Sequence, residues 1–287
     1  MAYPVIPAAY GLRPQNLIGG LPFAGSTRMV PIANAYGTSL FYGDPVILAA
    51  GLLNASGFTL STTSPVAGTM GIFLGCSYTL PQTGQKVFQQ FWQSGTAAND
   101  AIAYVCDDPS TVFKAVVMAQ STALANSGLT VGALSASFLG TNVYAIPNAG
   151  GSLTTGDSSF GVSGGVITSG TAGGTRVTTT LPFRVVGLVP ETQLVATAVG
   201  STAGSSTTVT LTAANTAIIP GMQIIAPGST GALQGNYRTV MNVNGTTLTV
   251  DTAVTIASGT VLTFVGYPEV LVKWNQGYHS YQNASGV

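Results

Sequence analysis

Apolar residues in this chain come in short runs, alternating or continuous, and seldom with helical spacing. From Met29 to about Val117 the runs are MVPIANAYG, DPVILAAG, GTMGIFLGCSYTL, KVFQQFWQSG and AIAYVC. Gly, Pro or Asp interrupts them roughly every ten residues, a rhythm that predicts an all-β sandwich or barrel rather than βαβ units. After Cys106 the turn signal Asp107-Asp108-Pro109 leads into VFKAVVMA, so the two flanking runs read as a hairpin. Residues 119–135 have room for one short helix. Residues 149–175 are Gly/Ser/Thr-rich text that forms a flexible loop unless neighbours order it. The stretch RVTTTLPFRVVGLVPE reads as a strand pair or a strand kinked at Pro182.

Near Leu194 the pattern changes. Val209 and Leu211 alternate with threonines as in a half-buried strand, and Asn244-Gly245 between alternating runs is a strong hairpin signal. This all-β unit ends near Gly266. The closing segment, YPEVLVKWNQGYHSYQNASGV, is richer in aromatics and charge, like the first half of the chain. The simplest organisation is an inserted small all-β domain at 196–265 and a β-rich core domain formed by 29–195 plus 266–287. FRVVGL and EVLVKW would then lie in one domain, where they can pair.

The first 28 residues fit no period. Pro4, Pro7, Pro14 and Pro22 oppose a helix, and Gly19-Gly20 permits a sharp bend. They read as an extended N-terminal arm, 1–28. The overall fold expected is mostly β: a β-sandwich or barrel core, the arm and the insertion. An arm without its own core must lie on something to be ordered, either its own domain or a neighbouring subunit.

Composition sharpens the picture. The 287 residues include eight basic and eight acidic side chains, 6% charged in all, where globular chains average about 25%. The formal net charge is zero, which disfavours nucleic-acid binding through a basic patch and gives a free monomer little colloidal repulsion. Such a surface suits a subunit that shares it with others. The opening MAYPVIPAAYG shows neither the basic nor the apolar region of a signal peptide, and no run of about 18 apolar residues marks a membrane span. Cys76 and Cys106 are too few for a disulfide scaffold and read as buried thiols, with a bridge as the alternative.

Candidate chemistry is sparse. His279 is the only histidine, so any Ser-His or Cys-His catalysis would have to use it; its plain reading is a packed or interface side chain. No CxxC, HExxH or acidic calcium loop occurs, and Asp107-Asp108 reads as a turn cap. The glycine runs lack the Lys-Ser/Thr ending of a phosphate loop. The expectation is therefore no enzyme, no metal and no cofactor. Binding by shape remains. Tyr3, Tyr10, Arg13, Phe23, Arg28 and Tyr36 in the N-terminal part, with Trp274, Tyr278 and His279 near the end, are the candidate interface residues, since aromatics and arginine are enriched at interface cores.

The phrases GLRPQNLIGGLPFAGSTRMVPIANAYGTSLFYGDPV, GIFLGCSY, AYVCDDPSTVF, LPFRVVGLV and EVLVKWNQGYHSY resemble capsid decoration (cement) proteins of tailed bacteriophages of the aquatic type. The resemblance covers roughly 1–195 and 266–287 and leaves out the inserted unit. It implies a β-rich virion protein on the head exterior, made in the bacterial host cytoplasm. Its partners would be the major capsid protein and itself, as a trimer, with no direct contact to nucleic acid or membrane. A tail, neck or fibre-associated role, or a glycan-binding module, are the alternatives.

Overall fold

The computed structural model describes residues 9–17, 20–55, 69–117, 136–146, 151–163, 181–192, 194–225, 238–275, 279 and 281. They form antiparallel sheets and one closed barrel.

The first sheet runs, in spatial order, β1 (Arg13–Leu17), β10 (Thr111–Val116), β20 (Glu269–Trp274), β13 (Phe183–Val189), β11 (Asn142–Ile146) and β12 (Gly161–Ser163). A parallel bridge between Val117 and Val162 brings its far end back toward β10. The sheet thus curls around one core, with Phe113, Val143, Val162, Phe183, Val272 and Trp274 among its members. FRVVGL and EVLVKW do pair, from Phe183 opposite Trp274 to Val189 opposite Glu269, with a bulge between Val185 and Gly187.

The second sheet runs β2 (Arg28–Pro31), β9 (Ile102–Cys106), β6 (Thr69–Thr79), β4 (Pro45–Ala49) and β5 (Leu52–Ala55), with β7 (Lys86–Gln89) also on β6. The two-stranded ribbon β3 (Leu40–Phe41) and β8 (Phe91–Trp92) brings Leu40 and Trp92 into its core, beside Val30, Val46, Leu53 and Phe73.

The hairpin expected at Asp107–Pro109 is not formed. Strand β9 ends in the second sheet, where Cys106 faces Ile72, and β10 begins in the first, where Thr111 faces Leu17. The turn chemistry is as read: the Asp108 carboxylate accepts from the Ser110 amide at 2.7 Å. The direction differs because β10 is buried on both faces, which a neighbouring β9 could not achieve while also facing the second core. Cys106 and Ile72 sit at this crossing and join the first core.

The third unit is a closed barrel in the order β14 (Val195–Ser201), β15 (Ser206–Leu211), β18 (Thr247–Val254), β17 (Arg238–Asn244), β16 (Gln223–Ile225) and β19 (Thr260–Val265). Threonines at 208, 210, 247 and 249 face solvent while Val209, Leu211, Leu248 and Val250 fill the interior. Chain entry and exit are adjacent, since the Gly266 amide donates to the Leu194 carbonyl at 2.9 Å.

Part of the arm is a strand, against the reading of its text as aperiodic. Pro14 is tolerated because β1 pairs only with β10 along its ladder and is bulged between Pro14 and Asn16. Beyond Gly20 (φ 86°) the chain folds back, with Asn16 opposite Pro22. Of the Gly/Ser/Thr-rich stretch, 151–163 is ordered by neighbours such as Tyr42, whose amide donates to the Gly156 carbonyl at 2.9 Å. The possible helix at 119–135, the rest of that stretch (149–150 and 164–175) and RVTTT lie outside the described residues.

Candidate interaction surface

The N-terminal segment is seated on its own chain. Gly11 (φ 85°) crosses Gly43 (φ 99°) so closely that a Cβ on Gly43 would stand 2.8 Å from the Gly11 Cα. The Leu12 amide donates to the Gly43 carbonyl at 3.0 Å, and the Leu12 side chain enters the first core. Polar groups complete the seat. The Tyr10 hydroxyl donates to Glu269 in a very short bond, and Lys114 Nζ lies 3.2 Å from the same carboxylate. Arg13 pairs with Asp157 at 2.7 Å and lies 4.2 Å above the centre of the Tyr10 ring. Burial, then the bond to Glu269, pushes the Tyr10 phenol well above its ordinary range, so it remains a donor.

Tyr10 and Arg13 are thus engaged within the chain. Phe23 packs against the first core. Tyr36 accepts from the Ala55 amide through its hydroxyl at 2.8 Å and from Trp92 Nε1 through its carbonyl at 3.3 Å. Trp274 and His279, expected at an interface, are interior: Trp274 stacks on Phe183 at 4.3 Å between ring centres, and the His279 ring is fully buried 5.7 Å from Trp274. Arg28 is exposed; it donates to the Tyr281 hydroxyl at 2.8 Å, and that hydroxyl donates to Asp107 at 2.7 Å. Tyr3 and Tyr278 lie outside the described residues.

The surface that does face outward was missed in the sequence. Pairing places Pro31, Ile102, Ser77 and Phe88 in one cross-strand row over β2, β9, β6 and β7. The next row on the same face is Met29, Tyr104 and Gly75. Met29 is 65% exposed and Phe88 71%. Gly75 and Ser77 keep the middle low, and Ser77 Oγ and the Tyr104 hydroxyl share a hydrogen bond at 3.1 Å. These rows hold no charged side chain. The signal was present one strand at a time, in the phase of MVP and KVF opposite to Val30 and Val87, but only the register unites the residues. Met29 and Pro31 stand exposed on one side and Phe88 on the other, with half-buried Ile102 and Tyr104 between them, and exposed large apolar side chains gathered on one sheet face make a candidate site of interaction.

Asp44 is buried, accepting from the Ser158 hydroxyl at 2.5 Å and the Phe41 amide at 2.8 Å. Burial raises its pKa from 3.8 to about 6, against the pull of those two donors. Its proton is therefore held more tightly in the folded chain than in the unfolded one. Asp44 favours folding most below pH 3.8, and this contribution is lost as pH rises through about 6, roughly 3 kcal/mol in all. Asp44→Asn is expected to flatten that part of the stability profile, measured by denaturant midpoints across the same range. An unchanged profile would show that Asp44 is not the group responsible.

Both cysteines are free, and burial pushes Cys76 up to about 12 and Cys106 to about 11. Among the described residues no group of three or more His, Cys, Asp or Glu could hold a metal ion, and no helix is long and apolar enough to cross a membrane. Within the barrel, Phe264 lies in the core rather than on an aromatic platform, while Tyr237 is outside the described residues. No family of known proteins matches the chain, and no curated protein or solved structure matches it.

Proposed function

We propose that this chain is a structural protein of a bacteriophage virion that binds the outside of the head and stabilises the capsid by bridging shell subunits. The observation that carries the assembly reading is the set of apolar side chains Met29, Pro31, Ile102, Tyr104 and Phe88 on one sheet face, bounded by the row that holds Lys86. The head location rests on the resemblance of the phrases around Gly11–Val46 and Glu269–Tyr281 to decoration proteins. The mechanism is burial of interface: lasting attachment calls for about 1,600 Å² or more, and this face would be one part of it. Self-association as a trimer and contact with the major capsid protein belong to the same proposal. No catalytic step is assigned.

The barrel enters and leaves through adjacent backbone at Leu194 and Gly266, so it can be removed without opening the β13–β20 ladder. Purified chain mixed with heads that lack it is expected to sediment with them, and a chain with 196–265 replaced by a short turn is expected to do so equally. Binding by the intact chain alone would move the contact to the barrel. Failure of both would contradict the head-binding reading.

A further inference from the structure

We propose that His279 is an acid-sensitive pin: its neutral ring seats the C-terminal residues His279 and Tyr281 against the second sheet, and protonation releases them.

The geometry is a buried imidazole with its polar atoms unevenly served. The ring is fully buried, packed edge-on to Trp274 of β20 at 5.7 Å and tilted against Tyr281 at 5.2 Å. Nδ1 accepts from the Tyr281 amide at 3.3 Å, which assigns the ring proton to Nε2. Nε2 makes no well-formed hydrogen bond. A second proton would have to go on Nδ1, where it opposes the Tyr281 amide and removes the bond from that amide to the ring.

Among the described residues, the charged groups acting on the ring are those of the seat itself. Asp107 and Asp108 come from the crossing after β9, and Arg28 comes from β2 through the Tyr281 hydroxyl. The Met70 carbonyl of β6 and the Asp107 carbonyl also face the imidazole. The carboxylates and carbonyls favour a proton on the ring, and Arg28 opposes it. Burial outweighs their attraction and holds the His279 pKa below 6.5.

The sign follows. In the open state the ring titrates at its ordinary value, about 6.5. The seat is complete above that pH and weakens below it. Opening grows as the pH falls below 6.5, until the pKa of the closed form is reached. Asp44 acts in the opposite sense over a similar range, so the two must be separated by substitution.

His279 is the only histidine, so its ring carbon–proton signal in NMR is unambiguous. That titration and hydrogen exchange of the Tyr281 amide, corrected for intrinsic rate, are measured on the full chain from about pH 7.5 to about pH 4.5, spanning the ordinary histidine pKa. The expected result is an imidazole midpoint below 6.5, with a loss of protection over the same interval. In the Asp44→Asn chain this step should persist, and in His279→Gln it should be absent. Tyr281→Phe keeps the imidazole but loses the tie to Arg28 and Asp107, so its step should move to higher pH. An acid step in His279→Gln equal to that of the unsubstituted chain overturns the proposal. So does its absence from Tyr281→Phe, or a midpoint at or above 6.5 with protection intact.

Discussion

Replacing Gly43 by alanine is expected to displace the N-terminal segment from the rest of the chain. At φ 99° an L side chain is strained, by about 1–3 kcal/mol. The added Cβ would also stand 2.8 Å from the Gly11 Cα and 2.9 Å from the Leu12 amide nitrogen. Both are backbone atoms, so relief requires the crossing strand to move. That movement would break the Leu12–Gly43 hydrogen bond, withdraw Leu12 from the first core and draw Tyr10 away from Glu269. Hydrogen exchange is expected to show loss of protection along Arg13–Leu17, with a total destabilisation of about 3–5 kcal/mol, large for a single substitution. Gly25→Ala is the matched control. Gly25 has φ 79°, but a methyl added there would meet nothing within 4 Å, so only the strain remains. Equal effects at Gly25 and Gly43 would show that the crossing does not hold the segment.

The second large effect is expected at Trp274. Its ring lies against Phe183, meets Phe113 edge-on at 6.3 Å and forms one wall of the His279 seat. Trp274→Ala would leave a cavity where β20 ends and β13 begins, at a cost of about 3–5 kcal/mol. Domains commonly have about 5–15 kcal/mol in all, so much of the margin is at stake. The readout is the denaturant midpoint at unchanged slope, with Trp274→Phe losing less because a ring remains against Phe183. A loss below about 1 kcal/mol would contradict the placement of Trp274 at the centre of this core.

These residues also show how far the sequence could be read. The mostly β class was legible because alternation and turn residues recur throughout, and Thr-Val-Thr-Leu at 208–211 has the burial its pattern implies. The Asn244-Gly245 signal marks a real hairpin, but Asn244 pairs with Thr247, leaving Gly245-Thr246 as the loop. Gly245, at φ 60°, takes the first loop position, where glycine is favoured in a two-residue turn of this kind. Strand β1 was not legible, since a sequence with Pro14, Gln15 and Asn16 has no apolar alternation. Its place is fixed by Leu12, by the glycine crossing and by side chains distant in sequence.

The candidate site was less legible still. Turn chemistry at Asp108 predicts a change of direction but not which sheet the next strand joins. Aromatic residues near the ends suggested contacts with another subunit, yet Trp274 and His279 are buried within the chain, and Tyr10 is held by Glu269. Hydrophobicity alone does not say whether a ring faces its own core or a partner. The outward face joins Met29, Phe88 and Tyr104 through strand register, a relation between segments far apart in sequence that no local pattern records.

The most direct test of the virion reading is the number of copies of this chain per purified particle, by quantitative gel or mass spectrometry. A ratio to the major shell protein near one to one, or a simple fraction of it, is the predicted result. A handful of copies would place the protein at the tail or neck, and its absence from particles would contradict a structural role in the virion.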